Sequence, residues 1–240
     1  MTARLNVRTR RRPKPDSSFI GRLLDPIDRL SETIYSVLIL LTFTLAYRIF
    51  RPDEATDLPG EYIYELLLAA VLATLAWGII DGIMYILTET LERGERHRIL
   101  WEIQTASAEP EALEVIAGEF DYILEPITGE TQREALYKDV LEHLRDSQPR
   151  PVGIKREDFG GALACVLIAI VAVLPSLVPF VLFLRDPELA IRLSNVVSFA
   201  VLFVSGYKWG RYTGSSPWRT GLTLVGVGVL LLAVAIPLGG

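Results

Sequence analysis

The sequence predicts an all-α integral membrane protein with five transmembrane helices and a cytoplasmic helical insert between spans 2 and 3. Three observations predict it. Half of the 240 residues are hydrophobic, with a mean hydropathy of +0.34. These residues gather into long blocks instead of recurring periodically along the chain, and a bilayer core of ~30 Å needs about 20 mostly apolar helical residues to cross it. The basic residues are unevenly distributed, and that asymmetry sets an orientation.

The first span is Thr33–Tyr47, preceded by Asp28-Arg29-Leu30-Ser31-Glu32. The second runs over about Tyr62–Thr88 and carries Asp81 inside it. The third, Phe159–Leu184, holds no charge in 26 residues. The fourth covers about Pro187–Tyr207 and the fifth Thr220–Gly240. Residues 1–30, 89–158 and 207–219 together hold 20 of the 24 Lys and Arg. The positive-inside rule therefore places them in the cytoplasm, with the N-terminus inside and the C-terminus outside.

Four regions follow: a basic arm over 1–27, spans 1 and 2 over 28–88, an acidic helical segment over 89–158, and spans 3 to 5 over 159–240. The arm has basic residues but no early apolar run or small-residue cleavage site, so it is not a cleaved signal peptide. It suits an anionic lipid surface. The acidic segment, with seventeen Asp and Glu, reads as three helices. Glu89–Ile103 continues the second span with a break at Gly94. A second helix opens near Ser107, which can cap it, with Pro110 in its first turn. Leu113, Ile116, Phe120 and Ile123 form its apolar face. Pro126 and Gly129 end it, and Thr131–Asp146 forms the third. Such short helices bury little core alone, so they are expected to pack on one another, on the second span, or on a second copy of the chain in a homodimer.

The composition excludes several classes. There is no Walker loop, no dinucleotide fingerprint and no Ser/His/Asp set, and only two histidines occur. No enzymatic activity, no resident cofactor and no nucleic-acid partner is expected. The single cysteine, Cys165, lies inside an apolar block, which rules out a disulfide framework. Gly226-Val-Gly228 in the last span reads as a site of close helix contact.

Charges at membrane depth cost several kcal/mol by order of magnitude and are usually buried in the bundle. Asp81 stands out, either as a functional group or as a structural partner of Arg29. Asp28 and Glu32 are four apart on one helical face, lining a path or forming a solvated helix start. Met84 shares the face of Asp81 and offers a soft thioether, or simple packing. Glu89, Glu92 and Glu95 stack at i, i+3, i+6. With Glu111, Glu114 and Glu142 they could gather a divalent metal ion, as paired carboxylates do in helical bundles. Arg93, Arg96 and Arg98 alternate with the first three, which equally describes a solvated acidic surface.

The C-terminal third carries a resemblance. Gly161-Ala-Leu-Ala-Cys-Val-Leu followed by Leu174-Pro-Ser-Leu-Val-Pro179, then Gly206-Tyr-Lys-Trp-Gly-Arg-Tyr-Thr-Gly214 and Ser216-Pro-Trp-Arg-Thr-Gly221, resemble the third span and the last junction of the vacuolar iron transporter family. Asp28 matches the aspartate of that family's first-span motif, with Arg29 at its glycine. Asp81 stands near the family's methionine position, and residues 89–158 hold no methionine. The resemblance implies a homodimer in a membrane, the inner membrane of a prokaryotic cell being the expected one. It implies export of a divalent metal cation, iron or manganese, from the cytoplasm in exchange for protons. On that reading Asp28, Glu32, Asp81 and Met84 line the path and the glutamates collect metal. The other reading is a scaffold that keeps the fold and uses its hydrophilic helices for protein partners.

Overall fold

The computed structural model describes residues 24–49, 59–148 and 151–238. Among the described residues seven helices occur, in chain order: α1 (Pro26–Ile49), α2 (Pro59–Thr105), α3 (Glu109–Leu124), α4 (Glu130–Arg145), α5 (Arg156–Leu182), α6 (Pro187–Thr213) and α7 (Pro217–Leu238). They belong to two compact units. One comprises the chain up to Ile83 together with Phe159 onward, the other Met84–Asp158.

Four of the helices, α2, α5, α6 and α7, are long and apolar enough to cross a membrane. By its described residues α1 is not among them; Asp28, Arg29 and Glu32 fall in its first two turns. On α5 and α7 large apolar side chains such as Val171, Val181, Leu222 and Leu230 remain well exposed. An apolar surface of that extent is unstable against water and is at home in lipid.

Two apolar clusters lie among the described residues of the first unit. Leu40, Ile63, Leu66, Val173, Leu177 and Phe180 pack with Ala190 and Ile191 in one. Ile34, Val37, Leu41 and Leu202 form the other. Close approach between helices depends on glycine. A Cβ on Gly206 would stand 2.8 Å from the Thr220 carbonyl oxygen, and one on Gly210 2.8 Å from Pro217 Cα. Gly221 answers from α7 against the Phe203 ring. These contacts zip α6 to α7 around a tight turn at Gly214, whose φ of 82° is the left-handed conformation favoured by glycine. The sequence motif between the last two spans is therefore a helix-packing device. Of the glycine pair in α7, Gly228 meets Leu202 and Phe199, whereas Gly226 has nothing within 4 Å; the expected close contact holds for one of the two.

α5 contains Pro175 and Pro179. Each lacks the N–H that would bond the carbonyl four residues back, so Val171 and Pro175 lose their rungs in the helix ladder. Beside this interruption Ser198 of α6 donates to Ser176 Oγ at 2.8 Å, fully buried.

α2 runs unbroken for 47 residues, about 70 Å at 1.5 Å per residue. The break expected at Gly94 does not occur. A glycine costs a helix only about 1 kcal/mol. Around Gly94, Arg93 reaches Glu89, Arg96 reaches Glu92, and Arg98 reaches both Glu95 and Glu102 across single turns.

The second unit buries Ile103 from the end of α2 against Ala112 and Ile116 of α3 and Tyr137 and Leu141 of α4. Tyr137 donates its phenol to Asp121 Oδ1 at 2.6 Å, and Gln104 donates to the Leu144 and Ser147 carbonyls at 2.8 Å. The expected cap is displaced. Ala108 occupies the N-cap of α3 with no side-chain bond, and Ser107 instead donates its backbone N–H to Glu111 Oε2 at 2.8 Å. The expected apolar face of α3 is also split: Ile116 is fully buried, while Phe120 is 42% and Ile123 49% exposed.

Candidate metal path and its carboxylates

The site grows out of a close helix crossing. Gly78 and Gly82 of α2 face α5. A Cβ on Gly82 would come within 2.9 Å of the Ala162 carbonyl oxygen, and one on Gly78 within 3.2 Å of Val166 Cα and of Ala169 Cβ. Small residues at this crossing bring the α5 backbone against the turn of α2 that carries Asp81. Cys165, buried, sits on the facing turn of α5.

α1 completes the group. The Glu32 side chain reaches both Asp81 and Cys165 within hydrogen-bonding distance, and Asp28 adds its charge one turn away. A hydrogen bond between two carboxyl groups requires a proton on one of them. Glu32 Oε2 is buried and accepts nothing from the described residues. An unsatisfied oxygen in an apolar setting is costly, and a proton or a cation relieves it.

Asp28, Glu32 and Asp81, singled out in the sequence, are therefore neighbours. Glu32 and Asp81 are half-buried, whereas Asp28 is exposed, as is Met84, at 53%. Arg29, the alternative partner for Asp81, lines a cleft of about 510 Å³ with Thr33, Ser205 and Lys208, and the partner found for Asp81 is Glu32. The glutamates of the second unit are arranged differently. Glu89 contacts Arg93 at 3.5 Å, Glu92 contacts Arg96 at 2.8 Å, and Glu95 pairs with Arg98. Glu111 is engaged by the Ser107 amide, and Glu114 and Glu142 are exposed. Among the described residues no group of three His, Cys, Asp or Glu side chains is placed to hold a metal ion.

Two features escaped sequence reasoning. Cys165 joins the carboxylates, and its only signal was a polar atom in an apolar span. Arg93 extends both terminal nitrogens to Asp158, at 3.0 and 2.6 Å, and the Lys155 amide donates to the same carboxylate at 2.7 Å. Nothing in the spacing of residues 65 apart announced that pair.

Apolar helices packed through glycine, with half-buried acidic groups among them, define a helical integral membrane protein. The model of the VIT family matches residues 88–240, and the chain belongs to that family, one of metal-ion transporters and not of enzymes. No curated protein matches the chain.

Proposed function

We propose that this protein moves a divalent metal cation, of the iron or manganese type, out of the cytoplasm in exchange for protons. The observation that carries the reading is the Glu32–Asp81 carboxyl pair, half-buried beside Cys165 in the apolar unit of a VIT family chain. The pair holds a proton between its oxygens. A divalent cation entering the same space replaces that proton, because both carboxylates then face positive charge. Metal binding and proton release thus occur at one place. Asp28 lies nearest the N-terminal end of α1 and gives the cation a first anionic stop. Met84 and the glutamates at 89, 92, 95, 111, 114 and 142 supply ligands at the entrance, the first three glutamates where metal displaces their arginine partners.

The same reading counts α1 as a fifth span, with the N-terminus and the hydrophilic unit in the cytoplasm and the C-terminus outside. The distribution of 20 of the 24 Lys and Arg supports it. A prokaryotic inner membrane and a homodimer complete the proposal. One observation favours the scaffold reading: the glutamates on α2 already hold arginine partners.

Uptake into liposomes under a pH gradient, screened over iron, manganese, zinc and calcium, tests the proposal. Flux that depends on both metal and gradient is expected. A well-folded protein that carries none of the four ions would leave the scaffold reading in its place.

A further inference from the structure

The hydrophilic unit contains a cavity of about 400 Å³. Glu89, Arg93, Arg96 and His97 line it from one side, and Lys155 and Glu157 from the segment that opens α5. The α2 residues fall at helical spacing, one face along about two turns. Among the described residues, two nitrogens there are buried and without a hydrogen-bond partner: Arg93 Nε and His97 Nδ1. They lie four residues apart, hence one above the other.

A guanidinium Nε–H is always a donor, and an imidazole donates from Nδ1 in one tautomer. Both terminal nitrogens of Arg93 are spent on Asp158, so its Nε–H remains for something else. Buried polar atoms are nearly always satisfied, and an orphan pair beside a cavity calls for an acceptor that fills it. Three cations and two carboxylates line the space, and Arg93 and Arg96 are already paired with Asp158 and Glu92, so little positive charge is left over. A singly charged anion with several oxygens fits that balance better than a dianion, and a guanidinium with an ammonium is a common phosphate-binding combination.

The level of the cavity narrows the choice. Glu89 comes two residues after Leu87, where the apolar run of α2 ends, and Glu157 two residues before Phe159, where that of α5 begins. Both boundaries between apolar and polar chain fall beside it, at headgroup depth. We infer that this cavity binds a phosphate group, of the phosphodiester kind that an anionic lipid headgroup presents, through Arg93, His97 and Lys155. The inference does not depend on which metal the protein carries.

The full chain, stripped of lipid in neutral detergent, is titrated with short-chain phosphatidylglycerol, with inorganic phosphate, and with sodium chloride at matched ionic strength, while its melting temperature is followed. A saturable rise with phosphatidylglycerol is expected. The H97Q/K155Q variant should need about tenfold more of it or worse, the loss expected for one charge-assisted hydrogen bond. Lys155 is exposed, so Lys155→Gln alone provides a variant whose folding is not at risk, with a smaller shift in the same direction. A response to lipid alone assigns the phosphate to a headgroup, and a response to inorganic phosphate assigns it to a soluble ligand. No rise beyond the sodium chloride control, or variants that respond as the wild type does, would overturn the site.

Discussion

The two units of this chain treat their carboxylates in opposite ways. In the hydrophilic unit acids meet bases: Glu92 with Arg96, Glu95 with Arg98, Asp158 with Arg93. In the apolar unit an acid meets an acid, Glu32 with Asp81, with the Cys165 thiol beside Glu32. Ion pairs hold shape and need no further ligand. Two acids in apolar packing are stable only with a proton or a cation between them, so the second arrangement invites exchange while the first resists it. Packing differs in parallel: the apolar unit uses glycine against backbone, the hydrophilic unit a small cluster of larger side chains.

The largest effect should come from the acid pair. Asp81→Asn keeps the volume and a hydrogen bond to Glu32 while removing the exchangeable charge. Metal flux in liposomes should fall at least as far as the roughly 10–100-fold loss that follows removal of a metal ligand's supporting partner. The melting temperature should hold or rise, since a neutral amide costs less in apolar surroundings than a carboxylate. A destabilised variant that still transports normally would erase the contrast between the units.

Glycine packing is tested next. Gly206→Ala places a methyl group 2.8 Å from the Thr220 carbonyl, and overpacking of that kind costs about 1–3 kcal/mol. Gly226→Ala meets nothing within 4 Å and should leave thermal unfolding in detergent unchanged or slightly later. Equal behaviour of the two variants would contradict the α6–α7 contact.

In the hydrophilic unit, burial and the hydrogen bond to Asp121 raise the pKa of Tyr137 above its usual 10.0. The folded state therefore keeps the phenol neutral after the unfolded chain has lost its proton. The stabilisation is complete below pH about 10 and declines as pH climbs past it. Unfolding followed against pH should steepen there for the wild type and flatten for Tyr137→Phe. The smallest change should come from Glu92→Gln, because its exposed pair with Arg96 is worth roughly 0–1 kcal/mol; a large loss would mean that this carboxylate has a second role.

Much of the fold could be read from hydropathy because long apolar runs have few alternatives to a membrane helix. The limits of α4, α5 and α6 came within a few residues, or a turn and a half at the end of α6. The break placed at Gly94 failed because a single glycine is a weak local signal and ion pairs across its turns outweigh it. The cap placed at Ser107 failed because the helix starts one residue later, with Ala108 at its N-cap, and Ser107 is held there through its own amide by Glu111. Asp28, Glu32 and Asp81 were recognisable one at a time, since charge in an apolar run is conspicuous. Their meeting, and the arrival of Cys165, depended on which helices cross and on the glycines that let them. That is tertiary information, as is the reach of Arg93 to Asp158.

The two prolines of α5 have a mechanical consequence. A rod with two adjacent struts removed flexes at the gap under loads that leave an intact rod straight. α2 has no proline after Pro59 and behaves as the intact rod. α5, gripped by Gly78 and Gly82 along one stretch and weakened between Val171 and Pro179 along another, can swing its far end while its near end stays clamped to the turn that bears Asp81. Compliance is thus placed just beyond the acid pair, where a small change of curvature alters the room available to a cation without unpacking the crossing that holds the pair together.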